Sequence, residues 1–287
     1  MTISAITRAE VISKTAGLPA FPVVVNGILS SIEDPEANLT VLVNFIAHDP
    51  VIAARVLSFA NRAAERTSNI ASVRDIYTAT SLIGMSHVRE IALVSSLGNF
   101  ANNKAMGDLP SSFWRHSVAV AVCAQELSLH IVAPMASDLA LVAGLLHDIG
   151  QLWLCRFYRA EFEQARARSA EKKIGIDVAE RDIYGVDHAE IGGWLAEYWG
   201  LPNSIIQAIR HHHHPDAGLN DLMVPVVSIA EVLSNALDLA GRSENWVADV
   251  SSPACKALGL VFDANIQPLF GRIEARSKYA NALFIDQ

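Results

Sequence analysis

Two polar residues stand side by side at the end of an apolar run. The stretch is Gly144-Leu145-Leu146-His147-Asp148-Ile149-Gly150-Gln151, and the run before it extends from Leu139 to Leu146. Burying an imidazole and a carboxylate without partners costs on the order of several kcal/mol, so His147 and Asp148 call for a metal or a hydrogen-bond network. Four further places offer candidate ligands. They are His116 in Trp114-Arg115-His116-Ser117, His188, the pair His212-His213 within His211 to His214, and Glu231 in Ile229-Ala230-Glu231-Val232. Separations of about twenty to forty residues let successive helices converge, and metal sites in helical bundles are built this way from inward-facing side chains. Imidazole and carboxylate donors without thiolates suit iron, manganese, nickel or zinc, not a structural zinc site of the cysteine type. The alternative is an ion-free network in which His147 and Asp148 bond to each other and to His188.

The elements that must position these residues read as helices from end to end, with no convincing period-2 strand. Thr2 is expected to cap a first helix closing near Gly17. Asp49-Pro50 opens Val51 to Ala64, with Ile52, Val56, Leu57 and Ala60 inward. Ser72-x-x-Asp75 is a loose capping box, and Gly84 is placed as the stop of that helix. Gly98 to Ser112, polar and containing Gly and Pro, is the expected domain boundary. A long helix from about Phe113 to His130 carries His116. Ser137 and Asp138 are expected to cap the next one, which delivers His147-Asp148 near its end. Asp187-His188-Ala189-Glu190 has capping-box spacing and opens a helix ending at Gly200. Asn203 to His213 presents the histidine pair, and Leu222 to Leu239 presents Glu231. His48 and His87 stand alone and read as ordinary exposed or hydrogen-bonded histidines.

The 287 residues are 51% hydrophobic and 18% charged, so a sizeable core is feasible and global disorder is not expected. A net charge of −8 argues against broad nucleic-acid or anionic-membrane binding, since either wants a basic face. The three cysteines Cys123, Cys155 and Cys255 are odd in number and widely spaced, which reads as reduced thiols in the cytoplasm. Ser4, Thr7, Arg8 and Glu10 interrupt any apolar run at the N-terminus, so no signal peptide is expected. Apolar runs such as Leu139 to Leu146 fall short of a membrane span.

Taken in order, the motifs resemble the HDOD family, a branch of the HD superfamily of metal-dependent phosphohydrolases. The resemblance covers roughly residues 15 to 215. It is carried by Leu18-Pro19-x-x-Pro22, Asp49-Pro50-x-x-x-x-Arg55-Val56-Leu57 with Asn61, and Ser81-Leu82-Ile83-Gly84. It continues through Phe113-Trp114-Arg115-His116-Ser117-x-x-x-Ala121, Gly144 to Gly150, Asp187-His188-Ala189-Glu190-Ile191-Gly192 and Trp199-Gly200-Leu201-Pro202. It closes at Ala208-Ile209-Arg210 and His212-His213-His214-Pro215.

The resemblance implies an all-α multi-helix bundle and a role in bacterial signal transduction, often without demonstrated enzyme activity. It implies a metal site of His147, Asp148, His188 and His212, with His116 and His213 serving a second ion and Glu231 near the place of a last acidic ligand. One or two divalent ions (Fe, Mn, Ni or Zn) are the expected cofactors, and Asp148 is the residue on which any catalysis would depend. Such a centre would support phosphoester hydrolysis by activating water and polarising a phosphoryl oxygen. Two features depart from the related HD-GYP phosphodiesterases. Gln151 stands where a lysine usually follows, and Pro215-Asp216-Ala217-Gly218 replaces the Gly-Tyr-Pro motif. A missing positive group weakens phosphate stabilisation.

The expected organisation is therefore an N-terminal helical section, 1–108, and an HD-like helical section, 109–287. The expected function is a regulatory or output module acting through other signalling proteins, with no membrane and no clear nucleic-acid surface. The alternative is a metal-dependent phosphohydrolase or phosphodiesterase with a nucleotide, such as a cyclic dinucleotide, as its ligand.

Overall fold

The computed structural model describes residues 5–33, 39–65, 72–101, 111–133, 135–241 and 248–285, and among them every regular element is a helix. The chain forms two compact units, one of residues 20–100 and one of residues 1–19 with 101–287.

The smaller unit holds α2 (Val23–Glu33), α3 (Leu39–Ala47), α4 (Pro50–Glu65), α5 (Ile76–Ile83) and α6 (Met85–Ala101). Helix α4 shows how its sequence dictates its packing. Ile52, Val56, Ala60 and Ala64 recur every fourth residue and are all buried, which is one face of an α-helix. Asp49 Oδ1 accepts the N–H groups of Val51 and Ile52 ahead of Pro50 at the first helical position. Asn61 then ties the next segment to α4. Its Nδ2 donates to Leu57 O and Val73 O, and its Oδ1 accepts from Val73 N. The loose capping box does not form. Asp75 caps α5 through Thr78 N at 2.8 Å, and Ser72 instead donates to Asn61. Gly84 stops α5 with a φ of +84°, as its placement predicted.

The larger unit holds α1 (Arg8–Thr15) and then α7 (Ser111–His130), α8 (Ser137–Leu146), α9 (Ile149–Phe157), α10 (Arg159–Lys172) and α11 (Ile176–Tyr184). It continues with α12 (His188–Tyr198), α13 (Asn203–His211), α14 (Met223–Ala236), α15 (Ser252–Leu258) and α16 (Gln267–Ile285). The first helix belongs to this unit and not to an N-terminal section running to residue 108. Trp153 Nε1 donates to Thr15 Oγ1, Lys14 Nζ donates to the Tyr158 hydroxyl and lies over its ring, and Ile6 N donates to Tyr184 O. The cap of α1 is Thr7, whose hydroxyl accepts from Glu10 N; Thr2 lies outside the described residues. The expected boundary at Gly98 to Ser112 is partly helical, since α6 runs to Ala101 and α7 begins at Ser111.

Helix α8 is the centre of this unit and packs against α7, α13 and α14. Its buried face runs unbroken from Ala140 to Leu146. The predicted caps Ser137 and Asp138 lie inside its first turn; Ala136 occupies the cap position without a side-chain bond. Gly144 explains how closely α7 and α8 meet, because a Cβ there would lie 2.8 Å from Ala121 Cα and 2.9 Å from Val120 O. Counted across the His147-Asp148 junction, Ser137–Phe157 is long and apolar enough to cross a membrane, contrary to the shorter estimate from the uninterrupted run. In the fold 89% of its apolar window is buried by protein, the condition of a core helix pair.

Candidate metal centre

Helices α7, α8, α12, α13 and α14 each direct one or two of the candidate ligands into the middle of the larger unit. His147 occupies the C-terminal cap of α8, and Asp148 stands at the start of α9 without capping it, so its carboxylate is left to face the other helices. Asp187 caps α12 through Glu190 N at 2.9 Å and thereby sets His188 as its first residue. Gly150 permits α9 to begin against that same turn, since a Cβ there would fall 2.0 Å from His188 O. His212 is the C-terminal cap residue of α13, and His213 follows it.

Asp148 is the hub. Its Oδ1 lies 3.1 Å from His188 Nε2 and 3.9 Å from His212 Nε2, and its Oδ2 lies 3.4 Å from His147 Nε2 and 3.8 Å from His116 Nε2. All five of these residues are 3% exposed or less, so the cluster is removed from water. His213 Nε2 is 2.9 Å from His188 Nε2, and its Nδ1 is 3.9 Å from Glu231 Oε2. His213 and Glu231 are part-exposed and form the side of the cluster nearest solvent.

Three of the imidazoles are oriented by what their other nitrogen does. His147 Nδ1–H donates to Gly144 O and His212 Nδ1–H donates to Ile209 O, each at 2.7 Å. A carbonyl can only accept, so the proton is on Nδ1 in both. His188 Nδ1–H donates to Glu180 Oε2 at 2.5 Å. In each ring Nε2 is then the one atom left to take a proton or a metal, and all three aim at Asp148. This is the arrangement by which backbone carbonyls and carboxylates orient metal-bound histidines.

The electrostatics agree. Burial opposes ionisation of Asp148, but the imidazoles of His147, His188 and His116 outweigh it and hold the carboxyl well below its usual range. Burial likewise opposes charge on His188, yet Glu180 and Asp148 raise its pKa well above that of an ordinary histidine. Burial, followed by the neighbouring imidazoles, pushes His212 and His213 well below. His212 and His213, held neutral, are ready donors beside the carboxylate, whereas His188 carries its proton until a cation displaces it.

The donors fit a cation. Ligand atoms lie within 4.8 Å of one another in three sets: His147, Asp148 and His212; His188, His212 and His213; and His116, His147 and Glu231. All seven residues singled out from the sequence thus meet in one place. His211 and His214 do not join them; His214 is exposed and sits 3.6 Å from Asp177 Oδ2.

Two residues were not anticipated. Glu180 is fully buried and accepts from both the backbone and the ring of His188. Arg181, beside it, pairs with Asp187. A signal for Glu180 existed in the sequence: Asp177, Glu180 and Tyr184 share the buried face of α11, and an acid on such a face needs a partner. Gln151, the residue in the lysine position, donates its amide to Asp148 Oδ1 at 2.9 Å. A cavity of about 1650 Å³ opens beside the centre, with Gln151, His212, His213 and Glu231 in its wall.

The HDOD domain model matches residues 18–215. An uncharacterized protein of Treponema pallidum (strain Nichols) is 27% identical over 211 residues, covering 72% of this chain. The chain spans only 39% of that relative's length. Among solved structures, a protein of Marinobacter aquaeolei VT8 assigned to signal transduction superposes with a TM-score of 0.77 at 24% identity, covering 95% of this chain and 60% of the other. A protein of Shewanella amazonensis SB2B assigned as a phosphohydrolase superposes with a TM-score of 0.70 at 22% identity, covering 96% and 97%. The matched region runs through the helices that carry six of the seven clustered residues, and the likeness in fold extends over nearly the whole chain: the chain belongs to the HDOD domain family.

Proposed function

We propose that this chain is a signal-transduction module of the HD type, in which a divalent-metal centre around Asp148 holds a ligand and passes its state to other signalling proteins without turning the ligand over. The observation that carries the reading is the convergence of four imidazole Nε2 atoms on one buried carboxylate, three of them with Nδ1 committed to an acceptor. A set so oriented is costly to bury and serves no packing purpose. Family membership and the likeness to the Marinobacter signalling protein support the regulatory role. The buried thiols of Cys123 and Cys155 fit a reducing, cytoplasmic setting.

Gln151 supports the non-catalytic side of the reading. Its amide binds Asp148 Oδ1, and it brings no charge to a phosphoryl group. A metal bound here supplies Lewis acidity and a water of lowered pKa. The chain's own contribution is to orient His147, His188 and His212 and to keep Asp148 ionised and dry. The cavity against His212, His213 and Glu231 favours a second reading, hydrolysis of a phosphoester or cyclic dinucleotide, in line with the Shewanella protein.

The two are separated by purifying the protein with manganese, iron or zinc supplied in turn, measuring bound metal by elemental analysis, and assaying a phosphodiester panel. The proposal expects about one or two ions per chain, lost in Asp148→Ala, and no turnover. Turnover that His147→Ala abolishes would make the protein an enzyme. Protein that retains none of the three metals would remove the metal centre.

A further inference from the structure

Most of the described buried or half-buried charges that line the cavity are spoken for. Glu163 is engaged by Arg159 and Arg166, Asp177 by His214, and Asp216 by Ser251, while Glu231 stands with the metal centre. Asp249 and the ammonium-bearing Lys173 lie on the exposed rim, where water serves them. Arg115 is different. It lines the same cavity as Gln151, His212 and His213, one residue before His116, and its Nε is shut off from solvent with no hydrogen-bond partner. Every other described arginine of this unit is engaged: Arg8, Arg159, Arg166, Arg168, Arg181, Arg210, Arg272 and Arg276 by carboxylates, and Arg156 by the ring of Phe157. Arg115 has no ion-pair or hydrogen-bond partner among the described residues.

The enclosed Nε–H of Arg115, left without an acceptor among the described residues, loses its water contact and gains nothing in return. The guanidinium's planar fork of N–H donors matches the oxygens of a tetrahedral oxoanion, and arginine is preferred over lysine wherever such bidentate recognition is needed. We propose that Arg115 is the oxoanion-binding residue of this cavity and that the ligand it recruits carries a phosphoryl group. The proposal rests on the metal-centre reading for what lies beside that group, and it assigns to Arg115 the positive charge that Gln151 does not bring. The cavity exceeds the roughly 300–1,000 Å³ of an ordinary small-molecule site, which leaves room for the rest of a nucleotide-sized ligand.

The test is isothermal titration with inorganic phosphate of manganese-treated wild type, Arg115→Ala, Arg115→Gln and Arg166→Ala, with acetate titrated into wild type. Metal content and thermal melting are measured on each protein first. Phosphate is expected to bind Arg115→Ala about ten- to a hundredfold more weakly at unchanged metal content, the loss of a charge-assisted contact. Arg115→Gln keeps the stem and polarity of the side chain and reads the same loss if the alanine variant melts early. Arg166, already held by Glu163, is expected to change affinity by less than about twofold. Equal phosphate affinity in wild type and Arg115→Gln overturns the proposal. So does wild type that binds no phosphate, acetate bound as tightly as phosphate, or an equal loss in Arg166→Ala. Phosphate binding that depends on Arg115 in protein without metal upholds Arg115 and removes the metal centre instead.

Discussion

Glu180 Oε2 accepts two hydrogen bonds from one residue, the backbone N–H of His188 at 2.8 Å and its Nδ1–H at 2.5 Å. One carboxylate thus fixes the start of α12, the ring orientation of His188 and the position of the ring proton. Replacing it leaves the fold with one less buried charge but frees His188 to turn. Carboxylates in this position typically contribute ten- to a hundredfold, roughly 1.4–2.7 kcal/mol, to metal affinity. Glu180→Ala is expected to weaken metal binding by about that factor, and Glu180→Gln, which keeps an acceptor oxygen, by less. Metal titration monitored by competition with a chromophoric chelator measures both. Equal affinity in wild type and Glu180→Ala would assign Glu180 to packing alone.

Removing the metal is expected to lower thermal stability. An ion that binds the native cluster and not the unfolded chain stabilises by mass action, about 2.7 kcal/mol at a hundredfold excess over Kd. For a unit of this size that corresponds to roughly 5–10 °C in Tm. Calorimetry with and without chelator reads the shift. The same experiment on Asp148→Ala is expected to show none, and a full chelator effect in that variant would place the ion elsewhere.

Far from the cluster, Glu126 sets a separate acid dependence. Burial raises its pKa, but Arg276 and Arg272 outweigh that and bring it below the ordinary 4.5. The contacts are Arg272 Nε to Oε2 at 2.9 Å and Arg276 Nη1 to Oε1 at 2.6 Å, joining α16 to α7. Because the folded value is depressed, this contribution is fully present above pH 4.5 and fades as pH falls through the lower folded value. Denaturant melts of wild type and Glu126→Gln between about pH 7 and pH 3 should converge at the acid end. A constant gap across that range would exclude ionised Glu126 as the cause.

Much of the site was legible because its chemistry contradicts its surroundings. His147-Asp148 interrupts an apolar run, and polar groups placed there require the partners that His116, His188, His212 and His213 provide. Helix starts marked by a single strong signal, such as Asp187 and Asp49-Pro50, stand where the sequence puts them. What was hidden depends on long-range folding. Ser72 resembles a cap until Asn61, eleven residues earlier, takes its hydroxyl. Thr15, Lys14 and Ile6 look like an N-terminal section until Trp153, Tyr158 and Tyr184 bind them. Glu180 precedes His188 by eight residues but meets it only because Gly185, at a φ of +72°, turns the chain back after α11.

The glycines flanking the His-Asp pair give the last prediction, because the two of them separate stability from site geometry. At Gly144 an added methyl would press on the backbone of Ala121 and Val120 in α7. Overpacking of that kind costs about 1–3 kcal/mol, with α7 and α8 forced apart as rigid bodies. At Gly150 the methyl would fall on the carbonyl of His188 itself, so the first turn of α12 must move and carry a ligand with it. Gly144→Ala is therefore expected to lower stability with metal affinity falling only as far as His116 is displaced. Gly150→Ala is expected to lower both, and metal affinity the more steeply. Denaturant melts and metal titrations on the two variants give four numbers. If Gly150→Ala matched Gly144→Ala in metal affinity at equal loss of stability, the placement of His188 by the contact between α9 and α12 would be wrong.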